Sequence, residues 1–110
     1  VLHGKSMAWF TLVIAGILEV GWAIGLKYSD GFSKPIPSIL TVIGMILSFF
    51  MLSISLKTLP VGTAYTIWTG IGAVGTAILG MILFQEPRDT ARIICMMLIV
   101  AGIIGLKLTS

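Results

Sequence analysis

Glu19 is the residue in this chain best placed to do chemistry. It is the one charged side chain in an apolar run of 19 residues, Ala8–Leu26, just past the run's middle. A charge at that depth in a bilayer costs about 2.5–3.5 kcal/mol on insertion scales, so such a residue faces a bundle interior or a wet cavity. No basic residue lies deep in any other apolar run, so no internal ion pair can neutralise it. A carboxylate in that position can exchange a proton for a cation. The alternative is a protonated, structural glutamic acid that hydrogen-bonds a neighbouring helix.

The helical neighbours of Glu19 suit a cavity. Ala15 and Ala23 lie four residues away on either side, Gly16 and Trp22 three residues away. Small residues let a second helix approach closely, and Trp22 is expected beside the carboxylate with a ring face and an N–H donor. Trp9, at the edge of the run, fits an interfacial aromatic belt. A second run carries Thr41, Gly44, Ser48 and Ser55 at helical spacing. Ser48 is near its middle and can bond either Glu19 or the carbonyl one turn back in its own helix. A third run sets Tyr65 and Trp68 on one face with Gly72. A tryptophan ring there can stack on a cation, or both aromatics can serve packing. Gly70-Ile71-Gly72-Ala73-Val74-Gly75 matches the dinucleotide pattern G-x-G-x-x-G. It is rejected as a nucleotide site, because no strand precedes it and no acidic residue follows at the required spacing. Gly70, Gly72 and Gly75 are expected instead to kink the helix or pack it closely. The fourth run offers Gly102, Gly105, Met96 and Met97 without an ionisable group, a packing surface for lipid or for another subunit.

These side chains need a membrane to position them. The chain has 110 residues, 57% hydrophobic and 10% charged, with a mean hydropathy of +1.11. A soluble domain carries about 25% charged residues, so a soluble monomer and a disordered chain are both excluded. The apolar runs are Ala8–Leu26, Ile36–Leu56, Val61–Phe84 and Ile93–Leu106. They predict an all-α membrane protein with four transmembrane helices, about 8–26, 36–56, 61–84 and 91–108, in one domain over 7–110. The fourth run is only about 21 Å long at 1.5 Å per residue. It spans if Arg92 and Lys107 snorkel to the two interfaces, and is re-entrant otherwise. Ser29-Asp30-Gly31, Pro35-Ile36-Pro37, Thr58-Leu59-Pro60 and Glu86-Pro87-Arg88-Asp89 mark short loops. Such loops make consecutive helices antiparallel neighbours. A membrane barrel is excluded, because its strands alternate apolar and polar residues.

Val1–Ser6 are expected to be a cloning remnant, since the first Met is Met7 at the head of the first run. His3, in that segment, is the only histidine, so no histidine-based metal site and no cofactor are expected. The net charge of +3 comes from basic residues spread singly along the chain, so no nucleic-acid partner is expected. Cys95 cannot form an internal disulfide, being the only cysteine. Four spans put Lys5, Lys57 and Lys107 on one side and Lys27, Lys34, Arg88 and Arg92 on the other. That balance is nearly even, and it permits insertion in both orientations.

Three segments together carry a resemblance. They are Leu18-Glu19-Val20, then Leu26-Lys27-Tyr28-Ser29-Asp30-Gly31-Phe32, then Ala64-Tyr65-Thr66-Ile67-Trp68 with the glycines that follow. The chain resembles the small multidrug resistance family from Met7 to Ser110. The resemblance implies a multi-pass protein of the bacterial inner membrane that works as an antiparallel homodimer in lipid. It also implies that Glu19 binds protons and a cationic substrate in turn, with Gly16, Trp22, Ser48, Tyr65 and Trp68 lining the site. Glu19-Val20-Gly21-Trp22 and Ser48 are similar to the guanidinium-exporting subtype. The expected function is therefore proton-coupled export of guanidinium-like cations. Export of quaternary ammonium drugs and passive ion conduction are the alternatives; a proteolipid subunit would need only a two-helix hairpin.

Overall fold

The computed structural model describes residues 2–109; Ser110 lies outside them, as does Val1, the first residue of the segment expected to be a remnant. Four helices account for nearly all of the described chain: α1 Leu2–Tyr28, α2 Pro35–Ser55, α3 Val61–Leu83 and α4 Thr90–Leu108. Each contains a stretch long and apolar enough to cross a bilayer, of 23, 21, 23 and 19 residues in chain order. The fourth segment is a full span. Its helix takes in both Arg92 and Lys107, and Lys107 turns its ammonium over the Trp9 ring, 5.6 Å from the centroid.

The loops form where backbone chemistry demands them. Asp30, Gly31 and Phe32 all adopt positive φ, at 49°, 70° and 65°, and reverse the chain within a few residues. Ser29 is fully buried under this turn. Its hydroxyl donates to the Leu26 carbonyl at 2.7 Å and accepts from the Phe32 N–H at 3.1 Å. Lys34, extended as a residue before proline must be, precedes a helix that starts on Pro35. At the other end of the bundle Pro60 stands directly before α3. α3 stops at Leu83, and Gln85 takes φ 57° beyond it, before Pro87 is reached.

α1 is the central helix and packs against both α2 and α3, while α4 approaches only α3 closely. The stripe on α2 faces α1: a β-carbon on Gly44 would lie 3.0 Å from that of Trp22, and one on Gly25 would meet the Thr41 hydroxyl. The apolar core gathers at one end. Ala8, Leu12, Ala15, Leu52, Leu59, Ala64, Ile67 and Trp68 form one buried cluster, all in the half of the bundle nearer the α2–α3 loop. In the other half a cavity opens beside α1 and α3.

Candidate functional site

The cavity has a volume of about 430 Å³, with Glu19, Gly72 and Thr76 among its inner residues and Lys27, Phe84, Glu86 and Arg92 at its mouth. That is ordinary size for a small-molecule site. Glu19 reaches it because helix α3 offers no side chain at Gly72. A β-carbon there would fall 2.7 Å from Glu19 Cγ and closer still to the carboxyl group. The carboxylate thus rests directly on the α3 backbone. Its Oε1 is buried with no hydrogen-bond partner among the described residues, as is the Thr76 hydroxyl one turn further along α3. Buried polar atoms are nearly always paired, so two orphans in one cavity mark a place for a polar ligand.

Ser48 corrects an expectation. It bonds neither Glu19 nor its own helix, but donates to the Ala15 carbonyl of α1 at 2.7 Å. Its oxygen accepts from Trp68 Nε1 at 3.0 Å, and that same indole N–H lies 3.2 Å from the Ala15 carbonyl. One α1 carbonyl therefore ties α2 and α3 to α1, one turn before Glu19. The reason is direction. Ser48 is fully buried where α2 crosses Ala15, whereas Glu19 has turned toward α3. Trp22 is not among the residues that line this cavity and turns toward α2. It packs on Gly44 and lies 6.3 Å from the Phe49 ring, and its Nε1 is buried without a partner among the described residues.

The aromatic pair of α3 divides. Trp68 is 5% exposed and belongs to the core, while Tyr65 is 56% exposed and touches it from outside at 5.7 Å between centroids. Neither lines the Glu19 cavity. Gly16 packs against Ile71, Gly70 against Ile103 and Gly75 against Val20, each with a neighbouring side chain where a β-carbon would go. These glycines provide close packing in an α3 that runs unbroken from Val61 to Leu83.

Thr69, Thr76, Gly80, Glu86 and Arg92 also line the cavity and were not singled out from sequence. The signal was there in part: Gly72, Thr76 and Gly80 repeat every four residues and share one face of α3. Glu86 and Arg92 lie in and beside a loop, where charges are ordinary.

Fold and site together define a small four-span membrane protein with a carboxylate, Glu19, held mid-helix against a cavity. The chain belongs to the small multidrug resistance family: the model described as "Small Multidrug Resistance protein" matches residues 7–99. It is 64% identical over 104 residues to the "Guanidinium exporter" of Yersinia pseudotuberculosis serotype I, covering 94% of this chain and 100% of that protein. It is 60% identical to those of Salmonella typhimurium and Citrobacter freundii, again covering 94% of this chain and 99% of theirs. The relatives are transporters, not enzymes. Four apolar helices and this bacterial kinship make it a multi-pass transport protein of the bacterial inner membrane.

Proposed function

We propose that the chain exports guanidinium and small guanidinyl cations in exchange for protons, with Glu19 binding each in turn. The observation that carries this reading is the Glu19 carboxylate, set on Gly72 in a cavity, its Oε1 without a partner among the described residues, and the one charged side chain away from the helix ends. The names of relatives more than 60% identical, such as the Yersinia protein, supply the substrate class. Guanidinium is planar, always charged and weakly hydrated, like the arginine head group, so it can be stripped of water and forked onto carboxylate oxygens.

One subunit provides one such carboxylate. An antiparallel second copy supplies the inverted symmetry that secondary transporters use and brings a second Glu19 to the site. It also covers α4, none of whose residues is buried within the subunit. Trp22, Ser48, Tyr65 and Trp68 then lie around the paired site as lining or as its support. The nearly even distribution of basic residues allows this assembly. Reporters fused to the C-terminus, one active on each side of the membrane, both give signal if it forms; signal from one side alone rules it out.

The substrate is tested in liposomes holding a proton gradient. Guanidinium is taken up against its own gradient, and a bulky quaternary ammonium ion, which has no N–H to give the carboxylates, is carried poorly. The reverse ranking makes the chain a quaternary-ammonium exporter of the same family. Guanidinium flux indifferent to the proton gradient makes it a passive channel.

A further inference from the structure

Resting on that reading, we propose that Glu86 is a second, peripheral guanidinium site at the cavity mouth. In the structure its occupant is Arg92, whose guanidinium Nη2 lies 2.9 Å from Glu86 Oε1. An arginine head group is a tethered copy of the substrate, so the molecule already displays a carboxylate holding a guanidinium at the entrance to the cavity that Glu19 serves.

The two carboxylates are held alike. Glu19 rests on Gly72, and Glu86 rests on Gly80, where a β-carbon would lie 2.8 Å from Glu86 Cδ. The Glu86 backbone folds back on the same residue, its N–H 3.3 Å from the Gly80 carbonyl, which also accepts from the Phe84 N–H at 2.9 Å. Both glycines lie on one face of α3, two turns apart, or about 12 Å at 1.5 Å per residue. Midway between them is Thr76, whose buried hydroxyl has no partner among the described residues. A guanidinium leaving Glu19 thus meets an unpaired oxygen one turn on and a carboxylate one turn further.

The Arg92 contact is of the kind that exchanges. It is a single nitrogen-to-oxygen pairing with each side chain about a third exposed, at 34% and 37%. Partly exposed pairs are weak and screened by salt. A free guanidinium can present two parallel N–H groups to the carboxylate, the stronger geometry. Lys27 is held aside, its ammonium 5.1 Å above the Phe84 ring, and leaves Arg92 as the competitor.

The experiment uses the full-length protein. By titration calorimetry with guanidinium chloride, Glu19→Gln retains only a very weak binding event, because Arg92 competes for Glu86, the other carboxylate of the cavity. Adding Arg92→Gln strengthens that event several-fold and leaves it salt-sensitive, and adding Glu86→Gln removes it. In liposomes Glu86→Gln alone raises the KM for guanidinium by about three- to ten-fold with little change in kcat, and flattens its dependence on ionic strength. No binding in Glu19→Gln/Arg92→Gln overturns the proposal, and that result does not depend on whether the Glu86 variant folds. So does an equal rise of KM in Glu86→Gln and Arg92→Gln, which makes the pair a brace for the loop. Coupled uptake by Glu19→Gln alone refutes the central reading instead, whereas an inactive Glu19→Gln beside an unchanged Glu86→Gln refutes only the peripheral site.

Discussion

Guanidinium uptake driven by a proton gradient falls to the level of protein-free liposomes in Glu19→Gln. The amide keeps the length and hydrogen-bonding capacity of the acid and fits the same seat on Gly72, so the fold and assembly persist. Two things are lost together. Hydrogen bonds to charged groups are worth about 1.5–3 kcal/mol, which is about ten- to 150-fold in affinity at 1.4 kcal/mol per decade. The group that carries the proton is gone as well, so coupling ends altogether. The sign of the pH effect follows from the competition. Guanidinium needs the ionised carboxylate, and a proton removes the charge that holds it. Affinity therefore falls as pH falls through the titration of Glu19 and is constant above it. Glu19→Asp keeps that behaviour with a displaced midpoint, since its shorter stem draws the charge back toward α1. Guanidinium affinity measured over about pH 5 to 9 in the three proteins decides the matter. Proton-driven uptake that survives in Glu19→Gln would falsify the mechanism.

Gly72→Ala is the next largest effect expected, and it touches neither charge nor substrate. The new methyl takes the place of the Glu19 carboxyl group, with Cγ only 2.7 Å away. Neither the α3 backbone nor Glu19's own helix can yield cheaply, so the carboxylate swings out of its seat. Guanidinium affinity drops by about ten-fold or more, corresponding to 1.4 kcal/mol or more, with a shifted pH dependence. The helix itself gains from the change, because alanine exceeds glycine in helix propensity by about 1 kcal/mol. Loss of binding in a protein at least as stable therefore separates positioning from folding. Gly21→Ala is the control, since a β-carbon there meets nothing within 4 Å. Binding by Gly72→Ala indistinguishable from that of the unaltered protein refutes the seat.

The architecture was legible in the sequence because hydropathy and turn chemistry are local. Four apolar runs separated by proline, glycine and short polar loops leave few other solutions in a bilayer. Glu19 was legible for the same reason, since one carboxylate in an apolar run is anomalous wherever its helix packs. Direction was harder to read. Helical spacing puts Gly16 and Trp22 on the same broad face as Glu19, yet the roughly 60° by which three residues fall short of a full turn is enough to send Glu19 to α3 and Trp22 to α2. Spacing gave Ser48 two local or nearby partners, but helix crossing gave it a third, the Ala15 carbonyl. The glycines of the G-x-G-x-x-G segment lie within α3 and admit neighbouring side chains. That Gly72 admits the carboxylate itself required the register of α1 on α3, which no single run contains. The mouth of the cavity was invisible because Glu86 and Arg92 meet only after the chain turns at Gln85.

The arrangement of α4 has a mechanical consequence. Its backbone comes close only to α3, and it has no buried residue of its own, so the chain is a three-helix block with a strut. Lipid tails are as apolar as the side chains they replace. Sliding the strut along the block therefore trades protein contacts for lipid contacts at small net cost, a shear motion rather than a bend. Movement within the block is different, because it breaks the bonds that the Ala15 carbonyl makes to two other helices. The joint between strut and block is the loop that carries Glu86, with Arg92 on the strut and the carboxylate it holds on the block's side. Displacement of α4 is thus felt at the entrance as a change in the gap between those two groups, while the bonds at the Ala15 carbonyl stay in place.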